Sequence, residues 1–284
     1  MTAWAEWPTR RRLDALTATP LGGEADNGAL IAAELAMFVE RIDAYAPDAF
    51  PEAIETVVRS IVARRPTSAP LLTLANAVFL TIERGSETVV AEVRSVAERL
   101  RTSVGILATM GAAFVPDGGS VLAHGTSSSV QRLLEHAARD KRFRVTCGSG
   151  WDGSGRLFAS DLADAGIAVE VVEDDFIVDS LFGVDLIVTG ASAFGPDSMI
   201  NTSGTDVLVR EATDLDVRAL LVTSADKALP ALLFERAAGA AIDSDGLEVV
   251  RLALFEAIVT ELGVLDPVAA GRLAERREVA SQLA

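Results

Sequence analysis

The residues with the most chemical potential lie in two turns. Val121–Ala123 is a short apolar run that stops at His124 and Gly125, and a hydroxyl-rich stretch, Thr126, Ser127, Ser128 and Ser129, follows it. A second apolar run, Arg144–Cys147, ends in the loop Gly148-Ser149-Gly150-Trp151-Asp152-Gly153. If each run is a strand and each loop opens a helix, free N–H groups and a partial positive charge meet at both turns. Thr126 to Ser129 then reads either as a simple helix cap or as an anion cradle. The glycine loop matches the dinucleotide fingerprint, and Glu173, twenty residues beyond Gly153, stands where a ribose-binding acid would. It also reads as a plain glycine turn, because it follows the second strand rather than the first and carries Gly155 and the bulky Trp151. Cys147 reads as a packing residue or as a nucleophile activated by a helix N-terminus. His124 reads as a proton carrier or as a structural hydrogen-bonder, and His136, within a helical pattern, as a surface or packing residue.

Other chemistry finds no support. Two histidines without a cysteine or acid cluster around them leave no metal-ligand constellation, and neither a GxSxG elbow nor a Ser-His-Asp order occurs. The loop Arg64-Arg65-Pro66-Thr67-Ser68 pairs guanidinium forks with hydroxyls, which suits phosphate, although a solvated surface loop has the same composition.

Elements that must position these groups follow from periodicity. Apolar residues recur at helical spacing over Gly28–Ala46 (capped by Asp26 or Asn27), Pro51–Arg64, Leu71–Arg84 and Ser86–Met110, after a loose start over residues 1–27 that contains Pro8, Pro20, Gly22 and Gly23. The pattern changes at Pro116–Gly119. Strand-like runs then appear at Val121–Ala123, Arg144–Cys147, Ile167–Val172, Leu186–Thr189 and Ala219–Thr223. Helical segments Ser127–Arg139, Ser154–Ala165 and Gly204–Asp214 alternate with them, with a shorter helix at Phe176–Gly183. The chain closes with a helix-like apolar run, Leu247–Leu262, and a polar tail helix from Pro267. The expectation is an α/β protein: an all-helical N-terminal domain, residues 1–115, followed by a Rossmann-like parallel-sheet domain, residues 116–284.

Composition narrows the partners. A net charge of −16 over 284 residues, with only Lys141 and Lys227 as lysines, repels phosphate backbones and argues against direct nucleic-acid binding. One cysteine excludes an intrachain disulfide, and neither a signal-like nor a membrane-spanning stretch occurs, so a cytoplasmic, membrane-free location is expected.

Seven stretches, in order, resemble one family. Arg65-Pro66-Thr67-Ser68 is similar to its Arg-Pro-Thr-Ala motif, and Leu122-Ala-His-Gly125 to its strand-end histidine segment. Asp152-Gly-Ser-Gly155-Arg156 with Leu162–Val172 resembles its Gly-Arg and "LaeaGIpv" stretch, and Val184–Ala191 its VDxVxxGAD. Ile200-Asn201-Thr-Ser-Gly204-Thr205 resembles INKxGT, Asp226-Lys227 sits at its Tyr-Lys-Phe, and Ile258–Leu265 resembles ITExGv. The family is that of the alpha, beta and delta subunits of translation initiation factor 2B, which includes methylthioribose-1-phosphate and ribose-1,5-bisphosphate isomerases.

The resemblance implies a helical domain followed by a Rossmann-like domain, no cofactor, and a phosphorylated small-molecule ligand. It implies a homodimer or higher oligomer and leaves room for a protein partner. In the isomerases it implies a catalytic cysteine after the strand-end histidine and a catalytic aspartate in Gly-Ala-Asp. Here those positions are Gly125 and Ser192, and the lysine after the motif's asparagine is Thr202. Arg65, Asn201 and Lys227 keep the phosphate or sugar end. Asn27-Gly28-Ala29 keeps the Gly28 and Ala29 of an Arg-Gly-Ala stretch without its arginine. The implied ligand pocket therefore joins Gly28, Ala29, Arg65, His124, Gly125, Thr126, Ser127, Ser128, Ser192, Asn201 and Lys227. A non-catalytic, ligand-binding and self-associating member fits this set. An isomerase with chemistry moved to Cys147, His124 or Asp152, and an NAD(P)-dependent oxidoreductase using Gly148–Gly153, are the alternatives.

Overall fold

Five helices build the first part of the chain in the computed structural model, which describes residues 3–19, 23–150, 152–243 and 246–284. They are α1 (Pro8–Ala18), α2 (Glu24–Tyr45), α3 (Phe50–Arg64), α4 (Ala69–Thr81) and α5 (Ser86–Ala112). In α3, Ile54, Val57, Val58 and Ile61 recur at helical spacing and are all buried, with Pro51 in the first turn where its missing N–H costs nothing. The start of the chain is more ordered than its composition predicts: α1 is a helix whose Leu13 and Thr17 are buried. Helix α2 begins before Asp26 and Asn27, so neither caps it; both lie in its first turn. Pro20, Gly22 and Trp151 lie outside the described residues.

Helix α5 links the two regions. Val89, Val93, Val96 and Leu100 belong to the helical core, whereas Leu107 and Ala112 pack with the sheet. Beyond it come β1 (Ser120–His124), α6 (Ser128–Ala137), β2 (Arg144–Gly148), α7 (Ser154–Asp164), β3 (Ala168–Val172) and β4 (Leu186–Thr189). Two short strands, β5 (Ala193–Phe194) and β6 (Ser198–Thr202), precede α8 (Thr205–Asp214), β7 (Arg218–Val222) and α9 (Ala231–Ile242). The chain ends with β8 (Leu247–Arg251), β9 (Ala257–Thr260), β10 (Gly263–Leu265) and α10 (Pro267–Glu275).

The main sheet has the order β10-β9-β7-β4-β1-β2-β3, parallel except for β10, and β5-β6-β8 form a small antiparallel sheet beside it. Both faces of the main sheet are covered. Val121 and Ala123 pack toward α6 and α7, and Leu122 between them packs toward α8 and α10. The strand order reverses at β1, whose neighbours are β2 and β4, and ligands of open α/β sheets bind at such a point.

Two sequence expectations fail here. Leu247–Leu262 is not a helix but two strands, β8 and β9, joined by a single 3-10 turn; β9 is buried on both faces, and a short all-apolar strand carries no alternation to betray it. Phe176–Gly183 is not a helix: it holds the end of one 3-10 turn, Asp174–Phe176, and a second, Asp179–Leu181. The last nine residues leave the sheet and return to the helices: Ala280 and Leu283 join the helical core, and Asn76 donates to the Glu278 carbonyl (2.7 Å) and accepts from the Ala280 N–H (2.8 Å).

Candidate functional site

A two-lobed cavity opens at the C-terminal ends of β1, β2 and β4, where the sheet order reverses. The lobes share His124, Gly125, Thr126 and Thr202. One, of about 160 Å³, is lined by Gly23, Glu24, Ser127, Ser128, Gly190, Ala191, Ser192, Asn201 and Lys227 as well, and is called the lysine lobe. The other, of about 240 Å³, runs along the β2–α7 loop past Cys147, Gly150, Asp152, Ser154 and Asp174, and is called the aspartate lobe.

The lysine lobe gathers eight of the residues that the sequence singled out: His124, Gly125, Thr126, Ser127, Ser128, Ser192, Asn201 and Lys227. Three it does not bring to the wall. Gly28 and Ala29 are buried inside α2, and a Cβ on Gly28 would stand 2.9 Å from Pro70. Arg65 stands one layer behind, its Nη2 3.5 Å from Glu24 Oε1, and Ser68 donates to Glu24 Oε2 at 2.9 Å. Glu24 is thus the side chain that the helical region presents to the cavity, with Arg65 and Ser68 holding it. The sequence reading missed Glu24 because it assigned the residues before Gly28 to a loose start.

Lys227 is buried, and its ammonium donates to the Ala191 carbonyl at 2.7 Å. Burial pushes its pKa below the ordinary lysine value, and the Glu24 carboxylate opposes that fall. The turn before it is fixed from several sides. The Asp226 carboxylate accepts from Arg99 Nε of α5 at 3.2 Å and lies 3.8 Å from Arg277 of the tail. The Asp226 carbonyl accepts from Thr73 of α4 (2.8 Å), and Glu261 accepts the Ala225 N–H (2.9 Å).

Asn201 belongs to a buried polar chain: its Nδ2 donates to Thr189 Oγ1 (2.7 Å) and Thr205 Oγ1 (3.0 Å), and the Thr189 hydroxyl donates to the His124 carbonyl (2.8 Å). Ser127 caps α6, its hydroxyl accepting the Val130 N–H at 3.4 Å. The turn is therefore a helix cap whose first-turn amides also border the cavity, so the two readings of Thr126–Ser129 are compatible. Gly125 has φ of +76°, and a Cβ there would stand 3.0 Å from Thr202 Oγ1. A glycine suits this left-handed position without strain.

Candidate acid–base groups are poorly poised. His124 is buried; its Nε2 lies 3.3 Å from the Ser203 carbonyl and so carries the proton, while Nδ1 has no partner among the described residues. Desolvation lowers its pKa, only partly offset by the Ser203 hydrogen bond and by Asp174. Burial pushes the Cys147 thiol up to about 11, with Asp174 adding to the rise, so the thiol is inert at neutral pH and its packing reading is the one that the geometry favours. Asp152 is exposed and held below the usual carboxylate value by hydrogen bonds from Ser154, its hydroxyl above all.

The glycine loop departs from a dinucleotide cradle. The Gly150 N–H already donates to Asp174 Oδ1 at 3.1 Å, which places a fixed negative charge where a pyrophosphate would lie. Glu173 pairs with Arg156 and accepts from the Ser149 hydroxyl at 3.0 Å. The acid that faces the cavity is its neighbour Asp174, which the motif spacing overlooked and the strand-end position signals. Among the described residues no group of His, Cys, Asp and Glu is arranged to hold a metal, and no helix is long and apolar enough to cross a membrane.

Comparisons with known proteins agree with this architecture. A family model described as the Initiation factor 2 subunit family matches residues 22–238. A ribose 1,5-bisphosphate isomerase of Archaeoglobus fulgidus is 24% identical over 245 residues, covering 77% of this chain and 78% of the relative. The translation initiation factor eIF-2B of Pyrococcus horikoshii OT3 superposes with a TM-score of 0.78 at 21% identity, covering 91% of this chain and 97% of that one. A chain of the tetrameric eIF2B-beta2-delta2 complex of C. thermophilum gives 0.73 at 14% identity, covering 94% and 93%. At such identities the structural likeness establishes the fold.

Proposed function

The chain belongs to the Initiation factor 2 subunit family, and from that premise we propose that it is a non-catalytic member that binds a phosphorylated sugar or nucleotide and associates with itself. The observation that carries this reading is the contrast within one lobe. Lys227 and the α6 N-terminus line it, both suited to an anion, beside Asn201, whose amide hydrogens go to Thr189 and Thr205, while Gly125 and Ser192 occupy the positions where the resemblance puts the isomerases' thiol and carboxylate. Moving a proton between two carbons of a sugar needs a poised acid and base. Neither glycine nor serine supplies one there. The other candidates are an inert thiol and an imidazole already committed to Ser203.

Self-association draws support from the tetrameric complex among its structural neighbours. It also fits the exposed apolar residues Leu262 and Val264 along the β9–β10 edge and Val268 in the first turn of α10. This edge replaces the apolar helix that the sequence suggested over the same stretch.

Three experiments test the reading. Assays with ribose 1,5-bisphosphate and methylthioribose 1-phosphate should show no isomerisation, and turnover at ordinary enzyme rates would overturn the non-catalytic assignment. Calorimetric titration with ribose 5-phosphate should show binding that Lys227→Met weakens about ten- to a hundredfold, the worth of one charge-assisted hydrogen bond. Light scattering of the full chain should give at least a dimer.

A further inference from the structure

The two lobes differ in charge, and the difference bears on which phosphorylated molecules fit. The lysine lobe offers an ammonium and a helix N-terminus, and its acid, Glu24, is held by Arg65 and Ser68. Among the described residues the aspartate lobe is lined by neither lysine nor arginine, and its ionisable side chains are His124, Cys147, Asp152 and Asp174. Resting on the phosphate reading of the lysine lobe, we propose that the cavity is a one-phosphate site: it takes a sugar monophosphate with its hydroxyl end in the aspartate lobe and rejects sugars phosphorylated at both ends.

Three observations support this. First, the Asp174 carboxylate is built in. It accepts the Gly150 N–H at 3.1 Å, and a Cβ on Gly148 would stand 2.4 Å from its Oδ1, so the strand end is shaped to admit it. Its charge acts on both His124 and Cys147, which border the same space. Second, Asp152 adds a second carboxylate, kept ionised by Ser154, while Arg156 on the same loop is committed to Glu173. Third, His124 lines the lobe with its Nε2 proton committed to Ser203 and with Nδ1 buried and without a partner among the described residues, so it offers a second phosphoryl group no donor. The lobe's ionisable groups thus present acceptors and carry no positive charge. Sugar hydroxyls donate to such groups, whereas a second phosphoryl group would enter beside two carboxylates with no counter-charge.

Titration calorimetry on the full chain with ribose 5-phosphate and ribose 1,5-bisphosphate tests the idea. The parent protein should bind the monophosphate at least about thirtyfold more tightly, a ratio set by like-charge repulsion at close range. Asp152→Lys, on an exposed turn, and Asp174→Asn should each narrow that ratio at least about fivefold, chiefly by improving the bisphosphate. Thermal unfolding checks that both variants fold. A parent that binds the bisphosphate as tightly as the monophosphate, or a ratio that neither variant moves, overturns the one-phosphate inference. If Lys227→Met still weakens ribose 5-phosphate in that case, the phosphate site stands without it. If neither compound binds at millimolar concentration, or Lys227→Met leaves monophosphate binding unchanged, the phosphate reading falls and takes this inference with it.

Discussion

Asp226→Asn removes the charge that ties helix α5, the tail and the lysine turn together. Its carboxylate is 3% exposed and faces two guanidinium groups of different burial. Arg99 is 44% exposed, so it rehydrates when its partner is lost, and that contact contributes no more than about 1 kcal/mol. Arg277 is 27% exposed; burial lowers its pKa, while Asp226 and, further down in importance, Glu261 support its charge. Breaking a fully buried pair costs about 3–5 kcal/mol. With Glu261 remaining and some solvent reaching Arg277, about 2–3 kcal/mol is the reasonable loss. At about 2–4 °C per kcal/mol for a chain of this size, Tm should fall by about 5–10 °C. A double-mutant cycle in urea, with Asp226→Asn and Arg277→Gln, should give a coupling of at least about 1 kcal/mol, larger than the cycle with Arg99→Gln. A loss below about 0.5 kcal/mol for Asp226→Asn, or strict additivity with Arg277→Gln, would refute the argument that this buried charge fixes the junction.

Other predictions follow from single groups. A bound phosphate should raise the depressed pKa of Lys227, so binding is strongest below the free-state pKa and weakens as pH rises through it; calorimetry across alkaline pH checks this, and Lys227→Met should flatten the profile. His124 is buried with a lowered pKa, so the unfolded chain binds its proton first. Stability should therefore fall as pH drops below 6.5, until the folded-state pKa is reached, and His124→Asn should reduce that slope in acid-denaturation curves. The buried thiol of Cys147, with its pKa pushed up to about 11, should react with a thiol reagent only as fast as the protein opens; rapid labelling of the native chain would show that the thiol is reachable. Gly125→Ala should destabilise by about 1–2 kcal/mol through its positive φ, as read by thermal unfolding.

Much of the fold was legible in the sequence because the inner parallel strands β1 and β4, and all but the first residue of β7, are buried on both faces. Leu186–Thr189 forms β4 over the same residues that the apolar run marked, and the helices α3 and α5 fall within two residues of their periodic patterns. What failed were elements whose burial leaves no periodic trace. Helix α1 is polar and arginine-rich, with only a few buried positions. The strands β8 and β9 read as one helix because their joint run is almost continuously apolar, and β5 is two residues long. At the site, the turns after β1 and β2 were legible because strand ends and glycines mark them, whereas Ser192, Asn201 and Lys227 entered only through the family resemblance. Glu24 and Asp174 were not legible. Each reaches the cavity through packing of distant elements, and a neighbouring residue of the same chemistry, Glu173, satisfied the motif instead.

The return of the tail to the helices has a consequence for biosynthesis. Asn76 waits for Glu278 and Ala280, separated from it by 202 and 204 residues, and Leu283 joins the core that α1–α5 share with α9 and with Ala193 and Ile200 of the small sheet. A nascent chain that has already made all five helices still lacks Leu283 and the Arg277 contact to the lysine turn. The helical half therefore cannot finish closing while the sheet is still emerging from the ribosome, and apolar surface stays uncovered until synthesis reaches the tail.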